Sequence, residues 1–403
     1  MTGVFGGAGL TVAPGNGPSG LFQLLRDGRP RTRAELAAQT GLARSTIASR
    51  IDGLLASGLI APVGEAISTG GRPSSRFAFN PTARVVLAAD LGATHATIGI
   101  SDLSGAVQAR HSDPIDITDG PERVLGWLVD SGMELLRSVG HEVVDLAAIG
   151  IGLPGPVEHS TGRPTNPPIM PGWDGADVPG IVHDRIDVPV LVDNDVNLMA
   201  LGEVAYAWPG AQHFLFVKVA TGIGSGVISS GVLQRGAQGI AGDIGHVQVP
   251  HGADTPCSCG NRGCLEAVAS GPAIAATLRR AGLDSPNGAD VIARVRAGDV
   301  EAIQAVRQAG RDIGEVLAAC VSLINPSVIA VGGSMAQAGE HLIAGVREVV
   351  YARSMPLATE HLSIVQSRAA VDAGLIGAGV LAIEHVLSPE RIDALAVSEA
   401  VGF

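Results

Sequence analysis

The stretch from Gly242 to Glu266 limits what this chain can fold into more than any other. It reads Gly242-Asp243-Ile244-Gly245-His246, ten further residues, then Cys257-Ser258-Cys259-Gly260-Asn261-Arg262-Gly263-Cys264-Leu265-Glu266. One histidine and three closely spaced cysteines supply four ligands, the number that a tetrahedral structural zinc site needs. The Cys-x-Cys-Gly turn puts two sulfurs on one side of an ion, and Gly263 lets the chain fold back to bring in the third. The expectation is a closed structural Zn²⁺ site on His246, Cys257, Cys259 and Cys264. The alternatives are a disulfide, or cysteines unconnected with metal. No signal peptide is read at the start, so a reducing cytoplasm is expected, where metal is the usual reason for clustered thiols. Cys320 stands alone in an apolar helical pattern and reads as a small core residue.

At 403 residues the chain is long for one compact domain, and two or three units are expected. No apolar run reaches the roughly 18 residues of a membrane span, so a soluble, cytoplasmic protein without a membrane partner is expected. The net charge of −12 hides an asymmetry. Residues 1–84 hold nine Arg against Asp27, Glu35, Asp52 and Glu65 and carry +5, leaving −17 for the remainder. A basic unit on an acidic body points to nucleic acid as a partner of the first part alone.

Residues 1–18 are Gly, Pro and small residues without periodicity and read as a disordered leader. Residues 19–83 carry helical spacing at Leu21, Leu24 and Leu25. A second helix follows that Thr32 and Glu35 can cap as a box and Gly41 stops. A third has Ile47, Ile51, Leu54 and Leu55 on one face and Arg44, Ser45, Thr46, Ser49 and Arg50 available on the other. Two short helices joined by a Gly-containing turn make a helix-turn-helix, whose polar face can read base edges or grip phosphate. The bland alternative is a three-helix unit with a solvated basic face. The Thr69-Gly70-Gly71-Arg72-Pro73 segment and the alternating Ser75 to Phe79 add a β-wing, whose slim tip would let Arg72 enter a narrow minor groove.

From residue 84 to 403 the texture is α/β. Val85 to Thr94, the alternating strands through Ile98, Ile100, Val107 and Ala109, a helix from Pro121 and a buried strand Leu146 to Gly152 form one set. The grammar recurs from about residue 210, with Phe214 to Val227 as strand, glycine turn and hairpin, then helices and the strand Val328 to Val331 before Gly332-Gly333. This predicts an actin-like, ribonuclease-H-like pair of lobes with a cleft between them. Val190 to Asp193 passes into a helix, which puts Asn194 and Asp195 at its N-terminus, where the dipole favours negative charge. N-capping alone would use the same residue types.

The Gly-acidic-x-Gly-His and Cys-x-Cys-Gly-x-x-Gly-Cys-x-Glu segments, the Gly-Gly-Arg-Pro wing and Asp193-Asn194-Asp195-x-Asn197 together resemble the ROK family of sugar kinases and sugar-responsive repressors. The resemblance implies sugar contacts at Asn194, Asp195, Asp243, His246 and Glu266, with a metal-held loop presenting the histidine and the carboxylates that flank it. Gly155 and Asn166 are further candidates that can equally be turn residues. For a kinase it implies Asp195 as the general base and Mg-ATP on the turns holding Asp90, Gly92, Thr94, Thr221, Gly222, Gly224, Gly332 and Gly333.

The chain departs from the kinase pattern in those turns. The first resembles Asp-x-Gly-Gly-Thr-Lys in the kinases but reads Asp90-Leu91-Gly92-Ala93-Thr94-His95 here, and the second begins Ala220-Thr221-Gly222. Ala93 adds a Cβ where backbone must approach phosphate, and the lysine's fixed charge is lost. The leading reading is a sugar-responsive transcriptional regulator, a repressor acting as a homo-oligomer, dimer or tetramer, on a double-stranded DNA operator, with a sugar or sugar phosphate in the cleft. The alternative is an ATP-dependent sugar kinase carrying an accessory DNA-binding domain.

Overall fold

A computed structural model describes residues 17–65 and 74–398. It opens with three helices, α1 (Pro18–Leu25), α2 (Arg33–Thr40) and α3 (Arg44–Ala56), and a small sheet ordered β1-β3-β2 from β1 (Arg31–Thr32), β2 (Ile60–Glu65) and β3 (Ser75–Phe79). The expected capping box is present: Glu35 N–H donates to Thr32 Oγ1 at 3.2 Å and Thr32 N–H to Glu35 Oε2 at 2.7 Å. Gly41 ends α2 in the left-handed conformation at φ 72°, which glycine adopts without steric cost. Leu21, Phe22, Leu36, Ile47, Ile51 and Leu54 are fully buried together, with Phe22 edge-on to Phe79 at 5.4 Å. The first helix begins at Pro18, inside the stretch read as leader; residues 1–16 and the wing tip, including Arg72, lie outside the described residues.

The first lobe contains β4 (Val85–Leu91), β5 (Ala96–Asp102), β6 (Val107–Asp113), α4 (Pro121–Ser138), β7 (Leu146–Leu153), the short hairpin β8 (Val157–Glu158) and β9 (Arg163–Pro164), α5 (Val178–His183) and β10 (Val190–Asn194). After the linking helix α6 (Asp195–Ala207) comes the second lobe. Its elements are β11 (Phe214–Val219), β12 (Ile223–Ser229), β13 (Val232–Gln234), α7 (Leu265–Ala269), α8 (Gly271–Arg280), α9 (Gly288–Arg296), α10 (Val300–Ile324), β14 (Val328–Gly332), α11 (Glu340–Arg353), α12 (Pro356–Thr359) and β15 (Ser363–Gln366). The chain closes with α13 (Ala373–Val386) and α14 (Pro389–Ser398).

The two large sheets share one plan. Each has a three-strand antiparallel meander, β4-β5-β6 or β11-β12-β13, extended from its first strand by two parallel strands, β7 and β10 or β14 and β15. This is the duplicated actin-like arrangement that the repeated strand and glycine-turn pattern predicts.

Each lobe ends in a helix that packs on the other lobe. Helix α6 leaves the first sheet and lies on the second, burying Val196 and Ala200 against Phe214, Phe216 and Ile228. Helix α13 leaves the second sheet and lies on the first, so close that a Cβ at Gly150 would stand 2.1 Å from Ala378 O. Where the helices cross, a Cβ at Gly202 would be 1.9 Å from Ala373 O, and one at Gly377 would be 1.8 Å from Leu198 O. Glycine is therefore a packing requirement at both positions.

The far end of α13 reaches the winged unit. Ala382, Ile383 and Val386 share a core with Leu21, Leu25, Ile51 and Leu54, and Arg26 pairs with Glu384. Helix α14, grouped by sequence with the sugar-binding lobes, also packs there: Asp393 accepts from the Ser19 backbone at 2.8 Å and Oγ at 3.0 Å. Among the described residues no single helix is long and apolar enough to cross a membrane. Cys320 is partly buried against the second-lobe core, as its apolar setting predicts.

Gly377→Ala is expected to lower stability by about 3 kcal/mol, because the new methyl forces α6 and α13 apart. Gly379→Ala, two residues along, meets only ordinary contacts, 3.4 Å to Ser101 Oγ. It should be neutral or stabilising by up to about 1 kcal/mol. Urea unfolding of the pair checks this, and equal losses would contradict it.

Candidate functional site

Between the lobes lies a cavity of about 270 Å³, near the lower end of the roughly 300–1,000 Å³ usual for ligand sites. Its walls are the 92–95 turn, Pro154 to Pro156, Asn194 to Asn197, Lys218, the 221–225 turn, the 239–243 segment, His246 and Glu266. It sits beyond the carboxyl ends of parallel strands from both sheets, where ligands bind in open α/β folds.

The β10–α6 junction supplies its floor. Asn194 caps α6, its Oδ1 accepting from Val196 N–H at 3.0 Å, while its Nδ2 donates to Gly155 O at 2.8 Å. Asp193 is 1% exposed. It accepts from Asn197 Nδ2 at 2.8 Å and from Arg235 Nε at 2.6 Å, which ties the end of the first sheet to the second lobe. Asp195 makes no cap. Its Oδ2 accepts from Lys218 Nζ, which reaches it from the central strand β11. No motif or spacing in the sequence singles out Lys218 as a site residue; its one signal is that it is the single lysine in a chain otherwise reliant on arginine.

Asp90 lies behind this pair, against the start of α13, where a Cβ at Gly374 would be 2.2 Å from its Oδ2. Burial, with the nearby Asp195 charge adding to it and Lys218 opposing, raises Asp90 to about 6. The Lys218 ammonium is held above its ordinary value: burial opposes its charge, and the pair with Asp195, helped by Asp90, overcomes that. The floor thus sets Asp195 and Asp90 against one ammonium, and Asp243 and Glu266 border the same cavity, a set of acceptors that suits a ligand rich in hydroxyl donors.

The roof is the 242–266 loop. Gly242, at φ 98°, lies flat on β12, where a Cβ would be 2.0 Å from Ser225 O. The loop's ends are paired by Leu265 N–H to Val247 O and Glu266 N–H to Gly245 O, both 2.9 Å, and Glu266 Oε2 accepts from Ile223 N–H at 3.1 Å. His246, Cys257, Cys259 and Cys264 place their ligand atoms within 4.8 Å of one another, with Cys257 Sγ 3.8 Å from His246 Nδ1 and Cys259 Sγ 3.7 Å from Cys264 Sγ. A tetrahedron with metal–sulfur bonds of about 2.3 Å has edges of about 3.8 Å, so the cluster can hold a metal ion. Backbone donation from Asn261 brings Cys259 down to about 7, whereas burial pushes Cys264 up to about 12. A shared cation is what allows both to be thiolates together. His246, whose Nδ1 faces Cys257 Sγ, also lines the cavity, so the cluster and the cleft share one side chain.

The structure divides the remaining candidates. Gly155, Asn194, Asp195, Asp243, His246 and Glu266 all border the cavity. Asn166 does not: it turns the chain at φ 43° with its N–H on Asp174 Oδ1 at 2.7 Å. Of the nucleotide candidates, Gly92, Thr94, Thr221, Gly222 and Gly224 border the cavity, and Asp90, Gly332 and Gly333 do not. Gly332 is explained by packing, since a Cβ would stand 2.3 Å from the Phe216 ring, and Gly333 lies over Val219 O. The His95 ring folds onto Gly92, where a Cβ would be 2.7 Å from its Cε1, so the first turn is filled by its own side chain. On α3, Arg44, Ser45 and Ser49 are exposed and Thr46 and Arg50 half-buried; Ser45 and Ser49 lie opposite Ile47 and Ile51, and Arg44 and Arg50 flank that buried face.

The fold and site define a two-lobed, sugar-kinase-like protein with a His/Cys loop at its cleft that can hold a metal ion, and a winged helix built onto its end. Residues 86–385 match the ROK family, and the chain belongs to it. A xylose repressor of Bacillus spizizenii is 27% identical over 89% of this chain and 92% of its own length. A glucokinase of Thermotoga maritima is 31% identical over 75% of this chain and 98% of its own. The crystal structure of a ROK family transcriptional regulator, homologous to the Escherichia coli MLC protein, superposes with a TM-score of 0.80 at 26% identity, covering 96% of this chain and 98% of that one.

Because Asp90 titrates higher when folded than its unfolded value near 3.8, its contribution to stability is full below pH 4 and is lost as pH rises through about 6. Asp90→Asn should therefore stabilise the protein above pH 6, with the gain fading towards pH 4. Thermal unfolding across that range checks the sign, and a variant less stable at pH 8 would contradict it.

Proposed function

We propose that this chain is a sugar-responsive, DNA-binding transcriptional repressor that senses a sugar in the interlobe cleft. The observation that carries the reading is helix α13. It begins against Asp90 beside the cavity, crosses α6 just beyond Asp195, and ends inside the core of the winged helix. A ligand that moves the lobes therefore moves a rod fixed to the DNA-binding unit. For this to switch occupancy, the sugar must favour one lobe arrangement, and a 100-fold preference supplies about 2.7 kcal/mol. The repressor relative adds support because its match spans the length of this chain, whereas the glucokinase relative matches three quarters of it.

In this reading the exposed face of α3, with Arg44, Ser45, Thr46, Ser49 and Arg50, enters the major groove, and Arg72 reaches the minor groove. A homodimer would place two α3 helices about one helical turn of DNA apart or a multiple of it. Asp195, Asp243, Glu266 and His246 receive sugar hydroxyls, with Asn194 and Gly155 shaping the wall. Zinc on His246, Cys257, Cys259 and Cys264 fixes the roof and with it Glu266. The kinase reading is weakened by the His95-filled turn and by the ammonium on Asp195.

The test is calorimetric titration with D-xylose, D-glucose, N-acetylglucosamine and their phosphates, run beside an ADP-release assay with Mg-ATP. One ligand should bind, at least tenfold more weakly to Asp195→Asn, with no ADP formed. ADP release that vanishes in Asp195→Asn would replace the regulator with the kinase. Metal analysis should return one zinc per chain, and Cys259→Ser should lose both the zinc and the sugar heat. A zinc-free native protein that still binds sugar would overturn the assignment of the roof.

A further inference from the structure

The Lys218–Asp195 pair asks for a role beyond packing. Lys218 lies at the end of the central strand of the second sheet, in register with Gly224 on one side and Gly332 on the other. It leaves that sheet to meet the first turn of α6, and its ammonium borders the cavity. Asp195 is almost wholly buried and Lys218 mostly so. Asp90, from the central strand of the first sheet, is close enough to act electrostatically on both. Two carboxylates from the first lobe thus flank one positive charge supplied by the second. That is the ligand chemistry of a hard divalent cation, which takes one or two carboxylates and completes its shell with water or phosphate. Here the charge belongs to the chain itself.

We propose that Lys218 is a positioning residue that acts as a built-in counter-ion, occupying the cation position between Asp90 and Asp195 so that the cleft engages bare sugar without a divalent metal. The ammonium fixes Asp195 through Oδ2 and leaves Oδ1 to accept from a ligand hydroxyl. An ammonium has three donors, so the remaining N–H groups can serve a sugar oxygen. A proton delivered to Asp195 would weaken the same ion pair, which sets this carboxylate to hold a hydroxyl rather than to deprotonate it. Removing the ammonium leaves two carboxylates facing one another with no cation between them, and such a pair recruits one from solution.

The meaning of this for sugar sensing rests on the proposed function, but the test uses no sugar, so the two can fail separately. Zinc-loaded full-length protein is titrated with Mn²⁺, a hard-cation probe, by electron paramagnetic resonance. Lys218→Met should bind one Mn²⁺ per chain at least tenfold more tightly than wild type. Lys218→Arg, which keeps the charge, should behave as wild type, and Lys218→Met with Asp195→Asn should lose the added site. Equal Mn²⁺ binding by wild type and Lys218→Met, at any strength, would overturn the proposal. A second measurement needs no change at Lys218. Because the chain has a single lysine, ¹⁵N-lysine labelling gives one side-chain ammonium signal. In wild type it should be visible near neutral pH, shielded from exchange with water by the pair, and in Asp195→Asn it should broaden away. The same signal in both, or none in either, would contradict the ion pair.

Discussion

The crossing of α6 and α13 is the contact on which the rest of this molecule depends. Helix α6 starts at Asp195 on the cavity wall and packs on the second sheet, while α13 starts against Asp90 and packs on the first. Each lobe is thereby completed by the other's last helix. The backbones meet at Gly202 and Gly377 with no room for a side chain. Close-packed interiors transmit displacement because they cannot deform continuously. A change in the angle between the lobes must therefore appear at both ends of α13, and one of those ends is built into the winged helix through Ile383, Val386 and the Arg26–Glu384 pair.

The cleft itself is organised by charge. Asp193 is consumed internally by Arg235 and Asn197, which locks the base of the cavity. Asp195 is held by Lys218, and Asp243 and Glu266 are presented by a loop that four metal-ligating side chains can fasten. The phosphate-binding apparatus expected of a kinase is only partly assembled. His95 fills the first turn, and the glycines at 332 and 333 answer to Phe216 and Val219. The cavity thus gathers carboxylates, an amide and an imidazole, the groups that can exchange hydrogen bonds with hydroxyls.

Features with local physical causes were legible in the sequence. The Thr32–Glu35 capping box, the Gly41 stop, the spacing of Ile47, Ile51 and Leu54, the His246–Cys264 cluster and the repeated strand-turn-hairpin grammar each depend on residues within a few turns of one another, and all are present. What escaped depends on distant partners. Lys218 meets Asp195 across 23 residues of chain, and a lone lysine in a strand carries no spacing that names its partner. Asn166, which the sequence offers equally as a ligand contact or a turn residue, turns the chain at φ 43°, and the choice rests on its distance from the cavity. Helix α14 is amphipathic in either environment, and only the fold shows that its partner is the winged unit.

The central claim is that one rigid path joins a sugar site to a DNA-reading helix. It is tested most directly by selecting genomic fragments with the purified full-length chain, at moderate salt, with and without D-xylose, D-glucose and N-acetylglucosamine. The account predicts enrichment of a site with two-fold symmetry, and one sugar that changes that enrichment in wild type but not in Asp195→Asn. No enrichment above non-specific binding under any condition, or a specific site indifferent to every sugar that binds the cleft, would contradict it.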